Sequence, residues 1–158
     1  MERTANKKTA PATASAIITR YHHTRRLARA RALIGVPWKH QGRHPTVGID
    51  CVGLLVLALG VTEDGLPAYG RDPHEGLLET ALERQLGPPL PTNAQWLPGD
   101  VAALAYGGPI RHCGLLGDLP EGGLSLIHTD SHLGQVTEHP LNAQWRRRVR
   151  LVYRGGSS

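Results

Sequence analysis

The sequence has few cysteines, few aromatic residues and no long apolar run, and each shortage excludes a class of protein. Its 158 residues include 2 Cys, 3 Trp, 4 Tyr and no Phe. Two cysteines are too few for a disulfide framework in a chain of this length. The longest apolar run, Val52 to Leu59, is too short to span a membrane, and the polar start Met1-Glu2-Arg3-Thr4 lacks the apolar core of a secretory signal. We therefore expect synthesis in the cytoplasm, exit only within an assembly, and no membrane insertion.

The excess of positive charge lies towards the two ends of the chain. The formal net charge is +5, and the basic clusters are Lys7-Lys8, Arg25-Arg26 and Arg146-Arg147-Arg148. No run of aromatic residues is interleaved with them, as a binder of single-stranded nucleic acid would need. We expect no nucleic-acid partner and predict that the basic ends contact an anionic protein surface.

The length and a hydrophobic content of 40% predict one globular domain. We place it at residues 14–154, after a flexible basic arm at 1–13 and before a tail at 155–158. A first helix is predicted from Ser15, its cap, to Leu33. After a loop, Asp50 caps a second helix that runs from Cys51 to Val61. A turn-rich segment at 64–73 leads to a third helix, whose apolar stripe is Leu78, Leu82 and Leu86.

The pattern changes from helices to strands at Asp100. Strands are predicted at 101–106, 112–116, 124–128, 136–139 and 149–153, with Arg150 facing outward. Helices followed by a meander of strands indicate an α+β fold, with N-terminal helices packed on an antiparallel β-sheet.

Cys51 has the local setting of a nucleophile. It lies in the first turn of the second helix, where unpaired backbone N–H groups and the helix dipole favour a thiolate. A thiolate is the reactive form of cysteine. The alternative is a small buried core residue, which is what many cysteines are.

Two histidines could complete a site with Cys51. Hydrolysis of an amide by cysteine needs an imidazole that moves protons and a third group that orients it. His112 and His128 lie on neighbouring antiparallel strands, which can bring both to one sheet face, and the three residues meet if the Cys51 helix packs on that face. The alternative is that these are surface or structural histidines, because the chain has nine.

Five blocks of residues then follow one another between positions 34 and 128. They are Ile34-Gly35-Val36-Pro37-Trp38, Gly48-Ile49-Asp50-Cys51-Val52-Gly53-Leu54, Leu97-Pro98-Gly99-Asp100-Val101, Arg111-His112-Cys113-Gly114-Leu115-Leu116-Gly117 and Leu126-Ile127-His128. In this order they resemble the NlpC/P60 family of cysteine peptidases.

The resemblance implies a papain-like α+β fold that cleaves the peptide stems of bacterial peptidoglycan, usually between D-glutamate and a diamino acid. It implies that Cys51 is the nucleophile, His112 the general base and acid, and His128 the residue that orients His112. The backbone N–H of Cys51 would help to hold the oxyanion. No cofactor is implied.

The chain departs from the family pattern at two positions. Trp38 stands where the family has a tyrosine, and its indole N–H can only donate a hydrogen bond. Cys113 replaces an aliphatic residue after the histidine. Because side chains alternate along a strand, we expect Cys113 to point away from His112 into the core, without a disulfide to Cys51.

The remaining polar residues near the blocks receive separate predictions. Trp38, His40 and Asp50 are predicted to line the substrate groove, and Asp50 serves as a helix cap rather than as a catalyst. His132 and His139 are expected to be solvated. A metal site is not expected, because the Cys and His residues are scattered rather than paired at short spacing.

The Pro37-Trp38-Lys39-His40-Gln41 loop, the missing signal peptide and the ending Val136-Thr137-Glu138-His139-Pro140-Leu141 resemble peptidases encoded among tail genes of phages and gene transfer agents. The expected location is a virion tail, and the expected partners are neighbouring tail hub and tip proteins. Two alternatives stay open. The chain could be an inactive structural subunit of the tail tip, or an acyltransferase that passes the acyl group to an amine or a hydroxyl.

Overall fold

The structure, a computed structural model, describes residues 10–62 and 76–155. In chain order its elements are α1 (Ala14–Arg31), β1 (Arg43–His44), β2 (Gly48–Ile49), α2 (Cys51–Leu59), α3 (Leu77–Leu86), β3 (Val101–Ala105), β4 (Ile110–Asp118), β5 (Leu124–His128), β6 (Thr137–Pro140), α4 (Ala143–Arg148) and β7 (Val149–Tyr153). The predicted α+β layout is confirmed. The turn-rich segment predicted at 64–73, residues 1–9 of the predicted arm and residues 156–158 of the predicted tail lie outside the described residues.

The last five strands form one antiparallel sheet in the order β6-β5-β4-β3-β7. All five were predicted, with ends that differ by a few residues. β4 is longer than predicted, and its first half pairs with β3 while its second half pairs with β5. β1 and β2 form a separate ribbon that was not predicted, because two residues are too few to show an alternating pattern.

Helix α2 packs on one face of this sheet and carries the most apolar stretch of the chain. Its buried residues Leu54, Leu55 and Ala58 join a core that includes β3, β4 and the apolar stripe of α3. The helix ends at Leu59, two residues earlier than predicted. Gly60 adopts a left-handed backbone conformation (φ 69°) that ends the helical path.

Helix α1 begins one residue earlier than predicted and has a different cap. Thr13 Oγ1 accepts a hydrogen bond from the Ala16 N–H at 3.2 Å, whereas Ser15 lies inside the first turn. The prediction that Ser15 caps this helix is therefore wrong. The helix ends at Arg31, short of the predicted Leu33. Within the described residues, no helix combines the length and the apolar character needed to cross a membrane.

The second face of the sheet is covered by a smaller apolar core and by α4. This short helix was not predicted, because its three consecutive arginines indicated a basic end segment. Asn142 caps it by accepting the Trp145 N–H at 3.0 Å. The guanidinium groups of Arg146 and Arg148 stack over Trp96 and Trp145, at 4.7 and 4.4 Å from the ring centroids. These two arginines therefore belong to the folded domain rather than to a docking arm.

The Pro-Gly-Asp block at the start of β3 is a structural anchor. Asp100 is fully buried, and its carboxylate accepts two hydrogen bonds from Arg154, at 3.0 and 2.9 Å. It also accepts the Leu97 N–H at 2.8 Å. A two-point Arg–carboxylate contact of this kind fixes orientation as well as distance. It ties the start of β3 to the chain that follows β7.

Candidate active site

Cys51 is the first residue of α2, and Asp50 fixes this position. Asp50 is the N-cap, as predicted, and its Oδ1 accepts the Gly53 N–H at 2.9 Å. The same carboxylate accepts hydrogen bonds from Arg43 Nη1 and from the Gln41 N–H, both at 2.9 Å. Asp50 therefore joins the helix start to the preceding loop. Cys51 itself is partly exposed and borders the cavity described below.

The glycine two residues after the cysteine, Gly53, is required by a close backbone contact. The first turn of α2 lies directly against the backbone of the β1–β2 ribbon. A Cβ atom at position 53 would collide with the carbonyl oxygen of Gly42. Only glycine allows this close approach, which brings the loop to the side of Cys51.

His112 and His128 are in direct contact, as predicted. His112 Nε2 lies 2.8 Å from His128 Nδ1, and both side chains are buried. His112 also makes a side-chain hydrogen bond to Cys51. Because Nε2 of His112 faces His128, Nδ1 is the ring nitrogen that remains for the sulfur. The three residues thus form one connected group.

A third histidine extends this group, and the prediction that His139 is solvated is wrong. His139 Nε2 lies 2.7 Å from His128 Nε2, and His139 Nδ1 lies 2.9 Å from the carbonyl oxygen of Pro140. On β6, His139 pairs with Leu126, two residues from His128 on the same side of β5. The signal was therefore the alternation of β5 and β6, but only their register identifies the contact.

His112 and Cys113 both interact with Cys51, although they are consecutive residues of β4. Strict alternation allows only one of two neighbours to reach a given face. The pairing of β3 with β4 shifts between Leu104 and Ala105, next to His112, and such a bulge twists a strand locally. Cys113 is buried in the helix-side core, as predicted. Cys113 nevertheless makes a side-chain hydrogen bond to Cys51, a contact that was not predicted.

The two thiols influence each other strongly. A hydrogen bond from the Cys113 thiol is the largest cause that holds the pKa of Cys51 well below its usual value. Burial opposes this effect, while the hydrogen bond and charge of His112 add to it. The same contact, together with burial, holds the pKa of Cys113 well above its usual value. The site therefore favours a thiolate at Cys51 and a neutral thiol at Cys113.

This contact makes the reactivity of Cys51 depend on a donor at position 113. We expect Cys113→Ala to raise the pKa of Cys51 and to slow its alkylation by iodoacetamide about tenfold at neutral pH, because a hydrogen bond to a charged group is worth about 1.5–3 kcal/mol. Loss of the thiolate moves the alkylation profile to higher pH. The rate of alkylation is measured against pH by mass spectrometry.

Cys113→Ser is the matched control for this experiment, because its hydroxyl keeps a donor at the same place. Its alkylation profile is expected to stay close to that of the unchanged protein. If Cys113→Ala and Cys113→Ser give the same profile as the unchanged protein, the hydrogen bond from position 113 does not stabilise the thiolate.

The electrostatics of the histidine group keep its middle member neutral. Burial is the largest cause that lowers the pKa of His128, to about 3, and the charges of His112 and His139 act in the same direction. Nearby, burial raises the pKa of Asp130, but the hydrogen bond from the Leu133 backbone, the charges of His112 and His128 and the hydrogen bond from the His132 backbone together leave that pKa lowered. A neutral His128 has one nitrogen that donates and one that accepts.

A cavity of about 690 Å³ opens onto Cys51. The three residues predicted to line the groove, Trp38, His40 and Asp50, all border it, although the carboxylate of Asp50 is engaged by the protein as described above. A backbone hydrogen bond holds the loop that carries Trp38, because the backbone N–H of Trp38 donates to the Gly134 carbonyl at 2.8 Å. Another part of the cavity wall, which no sequence motif marked, is formed by Tyr106, Trp145 and Arg148.

This aromatic and basic wall is a stacked layer. Arg148 lies over the rings of Tyr106 and Trp145, at 5.0 and 4.4 Å from their centroids. Trp145 in turn packs on His128 and His139. Apolar side chains of α2 and α3 form another part of the cavity wall. His132, which also borders the cavity, is exposed, as predicted.

One group of side chains has the spacing of a metal site. The ligand atoms of His112, His128 and Asp130 lie within 4.8 Å of one another. The fold thus brings together residues that are far apart in the sequence. However, the two histidines direct nitrogens at each other, and Asp130 accepts the N–H groups of His132 and Leu133 at 2.9 and 2.8 Å. A metal ion held by both rings would have to break the contact between the two histidines, so the arrangement suits proton transfer better.

Comparisons with known proteins find similarity in structure rather than in sequence. No protein-family model and no curated protein matches the chain. Among solved structures, the NlpC/p60 domain of the peptidoglycan hydrolase SagA is 22% identical, with a TM-score of 0.55 over 83% of this chain and 97% of that domain. The peptidoglycan hydrolase RipB from Mycobacterium tuberculosis is 21% identical, with a TM-score of 0.56 over 90% of this chain and 68% of RipB. An N-acetylmuramoyl-L-alanine amidase from Bacteroides uniformis is 13% identical, with a TM-score of 0.61 over 87% of this chain and all of that one.

These similarities show that the chain has the NlpC/P60 fold. The fold class predicted from the five sequence blocks is thereby confirmed. The helix that begins at Cys51 packs on the five-stranded antiparallel sheet through the buried core, and Cys51 contacts His112 of that sheet.

Proposed function

We propose that this chain is a cysteine endopeptidase of the NlpC/P60 family that hydrolyses the peptide stems of peptidoglycan. One observation carries the proposal: Cys51 begins α2 in hydrogen-bond contact with His112, which in turn contacts His128. Each of the three residue types is competent for its role in amide hydrolysis. The similarity in fold to peptidoglycan hydrolases supports the choice of substrate.

In the proposed reaction, the Cys51 thiolate attacks the carbonyl carbon of the scissile amide. The oxyanion that forms lies near the start of α2, where the first N–H groups have no acceptor within the helix. His112 gives the proton taken from Cys51 to the leaving amine, and the C–N bond breaks. Water then attacks the carbonyl carbon of the acyl-enzyme while His112 takes a proton from it. The C–S bond breaks, which releases the product acid, ionised to its carboxylate, and regenerates the Cys51 thiolate beside protonated His112.

The bond we propose lies between D-glutamate and a diamino acid. The cavity supports a substrate with both charged and apolar parts, because Arg148 and His40 border it together with apolar residues of α2 and α3. Trp38 also borders the cavity, and its indole N–H can donate a hydrogen bond. His40 and Trp38 are the residues we propose to contact the stem near Cys51.

Digestion of purified peptidoglycan tests this function. The released fragments are identified by mass spectrometry, with protein alkylated at Cys51 as the inactive control. New fragments cut inside the peptide stem support the endopeptidase and name the bond. Intact stems freed from the glycan indicate an amidase instead. Fragments joined to an added amine indicate an acyltransferase, and no product from folded protein favours a structural subunit.

We also propose that the peptidase works as a phage-tail component, next to hub and tip proteins. The support is the Pro37-Trp38-Lys39-His40-Gln41 loop and the exposed arginines Arg147 and Arg150 at the C-terminal end. A tail location would hold the enzyme against the cell wall during penetration.

Removal of the N-terminal arm separates docking from catalysis. We expect deletion of residues 1–12, which keeps the α1 cap Thr13, to leave hydrolysis in solution unchanged and to reduce incorporation into tails by tenfold or more, on the order expected when several charged contacts are lost. Incorporation is measured by immunoblot of purified particles. A truncated chain that assembles normally contradicts this role of the arm.

A further inference from the structure

We propose that His139 is a positioning residue that acts through His128 to keep the proton of neutral His112 on Nε2, so that Nδ1 accepts the proton of Cys51. This inference rests on the proposed function, because it takes His112 as the base. The observation is an unbroken chain of three imidazole rings that ends on a backbone carbonyl. The separations are 2.8 Å, 2.7 Å and 2.9 Å from His112 to the carbonyl oxygen of Pro140.

The carbonyl of Pro140 sets the direction of every hydrogen bond in the chain. A carbonyl oxygen can only accept, so His139 Nδ1 must carry a proton. In the neutral ring, His139 Nε2 is then an acceptor, and His128 Nε2 must donate to it. His128 Nδ1 is therefore bare and accepts from His112 Nε2. The only ring nitrogen left as a proton acceptor is His112 Nδ1, on the side of Cys51.

The same directions hold after His112 has taken the proton from Cys51. The imidazolium still donates from Nε2 to His128, so no other proton in the chain has to move during the reaction. Trp145 keeps the rings in place, with its ring centroid 4.7 Å from that of His128 and 4.8 Å from that of His139. Burial of His128 keeps this ring neutral, as the directional chain requires.

Without His139, the tautomer of His128 is no longer determined by the protein. His128 could then carry its proton on Nδ1 and direct it at His112 Nε2. Neutral His112 would in turn carry its proton on Nδ1, facing Cys51, and could not act as a base. In triads of this type, a wrong histidine tautomer abolishes most of the proton transfer even when the geometry is intact.

Nuclear magnetic resonance of the unchanged protein, labelled with ¹⁵N-histidine, tests the tautomers directly. The chain of 17.1 kDa is small enough for this measurement. Each neutral ring shows which nitrogen carries the proton. We expect protonation at Nε2 in His112 and His128 and at Nδ1 in His139. Protonation of His128 at Nδ1 would overturn the proposal. The measurement needs no substrate, so it separates this inference from the proposed function.

Variants at position 139 then test the consequence. We expect His139→Leu to lower kcat by roughly tenfold to a hundredfold, a part of the usual general acid–base contribution, with little change in KM. His139→Gln offers an amide oxygen that accepts from His128 and an N–H that donates, so it should restore most of kcat. The control is His22→Gln, which removes a histidine on α1.

The outcomes of these variants are distinct. A mixture of His128 tautomers in His139→Leu, with recovery in His139→Gln, supports the positioning role whether or not peptidoglycan is the substrate. An unchanged His128 tautomer in folded His139→Leu overturns it. If His139→Leu does not fold, the spectrum of the unchanged protein and the comparison with His139→Gln still decide the question.

Discussion

Cys51→Ala should abolish the release of stem-peptide fragments from purified peptidoglycan, by at least roughly a thousandfold, because it removes the thiolate that forms the acyl-enzyme. The fold should survive. Cys51 is partly exposed at the first position of α2, alanine is a good helix former, and Asp50 still caps the helix. The activity is measured by mass spectrometry of the fragments, and the fold by circular dichroism and the thermal midpoint.

Two results would contradict this expectation. Retained hydrolysis by Cys51→Ala would mean that another group is the nucleophile. Loss of folding would mean that Cys51 is chiefly a core residue, the alternative that its apolar sequence neighbourhood also allows. Comparison with Cys113→Ala separates the two cysteines, because this variant keeps the nucleophile and is expected to lose thiolate character only.

His112→Ala should be nearly as damaging, with kcat lowered by roughly a hundredfold to ten-thousandfold. His112 contributes twice: it stabilises the Cys51 thiolate by a hydrogen bond and by its charge, and it carries the proton to the leaving amine. His128→Ala should be less damaging, because it removes the partner of His112 rather than the base itself. Single-turnover kinetics with a stem peptide measure both variants.

The comparison between these two variants is the decisive part of the experiment. An unaffected His128→Ala variant would contradict its role in orienting His112. A His128→Ala variant as inactive as His112→Ala, with folding intact, would mean that the orientation of His112 is as important as its presence. His22→Ala serves as the control for loss of a histidine, since it lies on α1 away from the cavity.

Some features of the fold follow from residues that are close in the sequence. The cap at Asp50, the start of α2 at Cys51 and the glycine needed at position 53 all depend on contacts within one turn and its adjoining loop. The alternation of β5 likewise placed His128 on the side of Leu126. Such local hydrogen bonds and patterns predict elements without knowledge of their partners.

The wrong predictions of the α1 cap and of the arginine segment have local causes as well. Thr13 and Ser15 are both good cap residues, and only the path of the preceding chain selects Thr13. The arginines 146–148 were attributed to a docking segment because charge dominates their sequence pattern. In the structure, Asn142 and the stacking of Arg148 on Trp145 make them part of a helix.

The sequence by itself determined the α+β fold, the position of Cys51 and the pairing of His112 with His128. The tertiary structure alone decided the contacts of Cys113 and His139. Cys113 contacts Cys51 next to His112, beside which the β3–β4 register shifts, and His139 contacts His128 through the register of β5 with β6. Strand register depends on how whole strands pack and hydrogen-bond together, and a shift by one residue would place each side chain on the other face of the sheet. No local pattern carries that information.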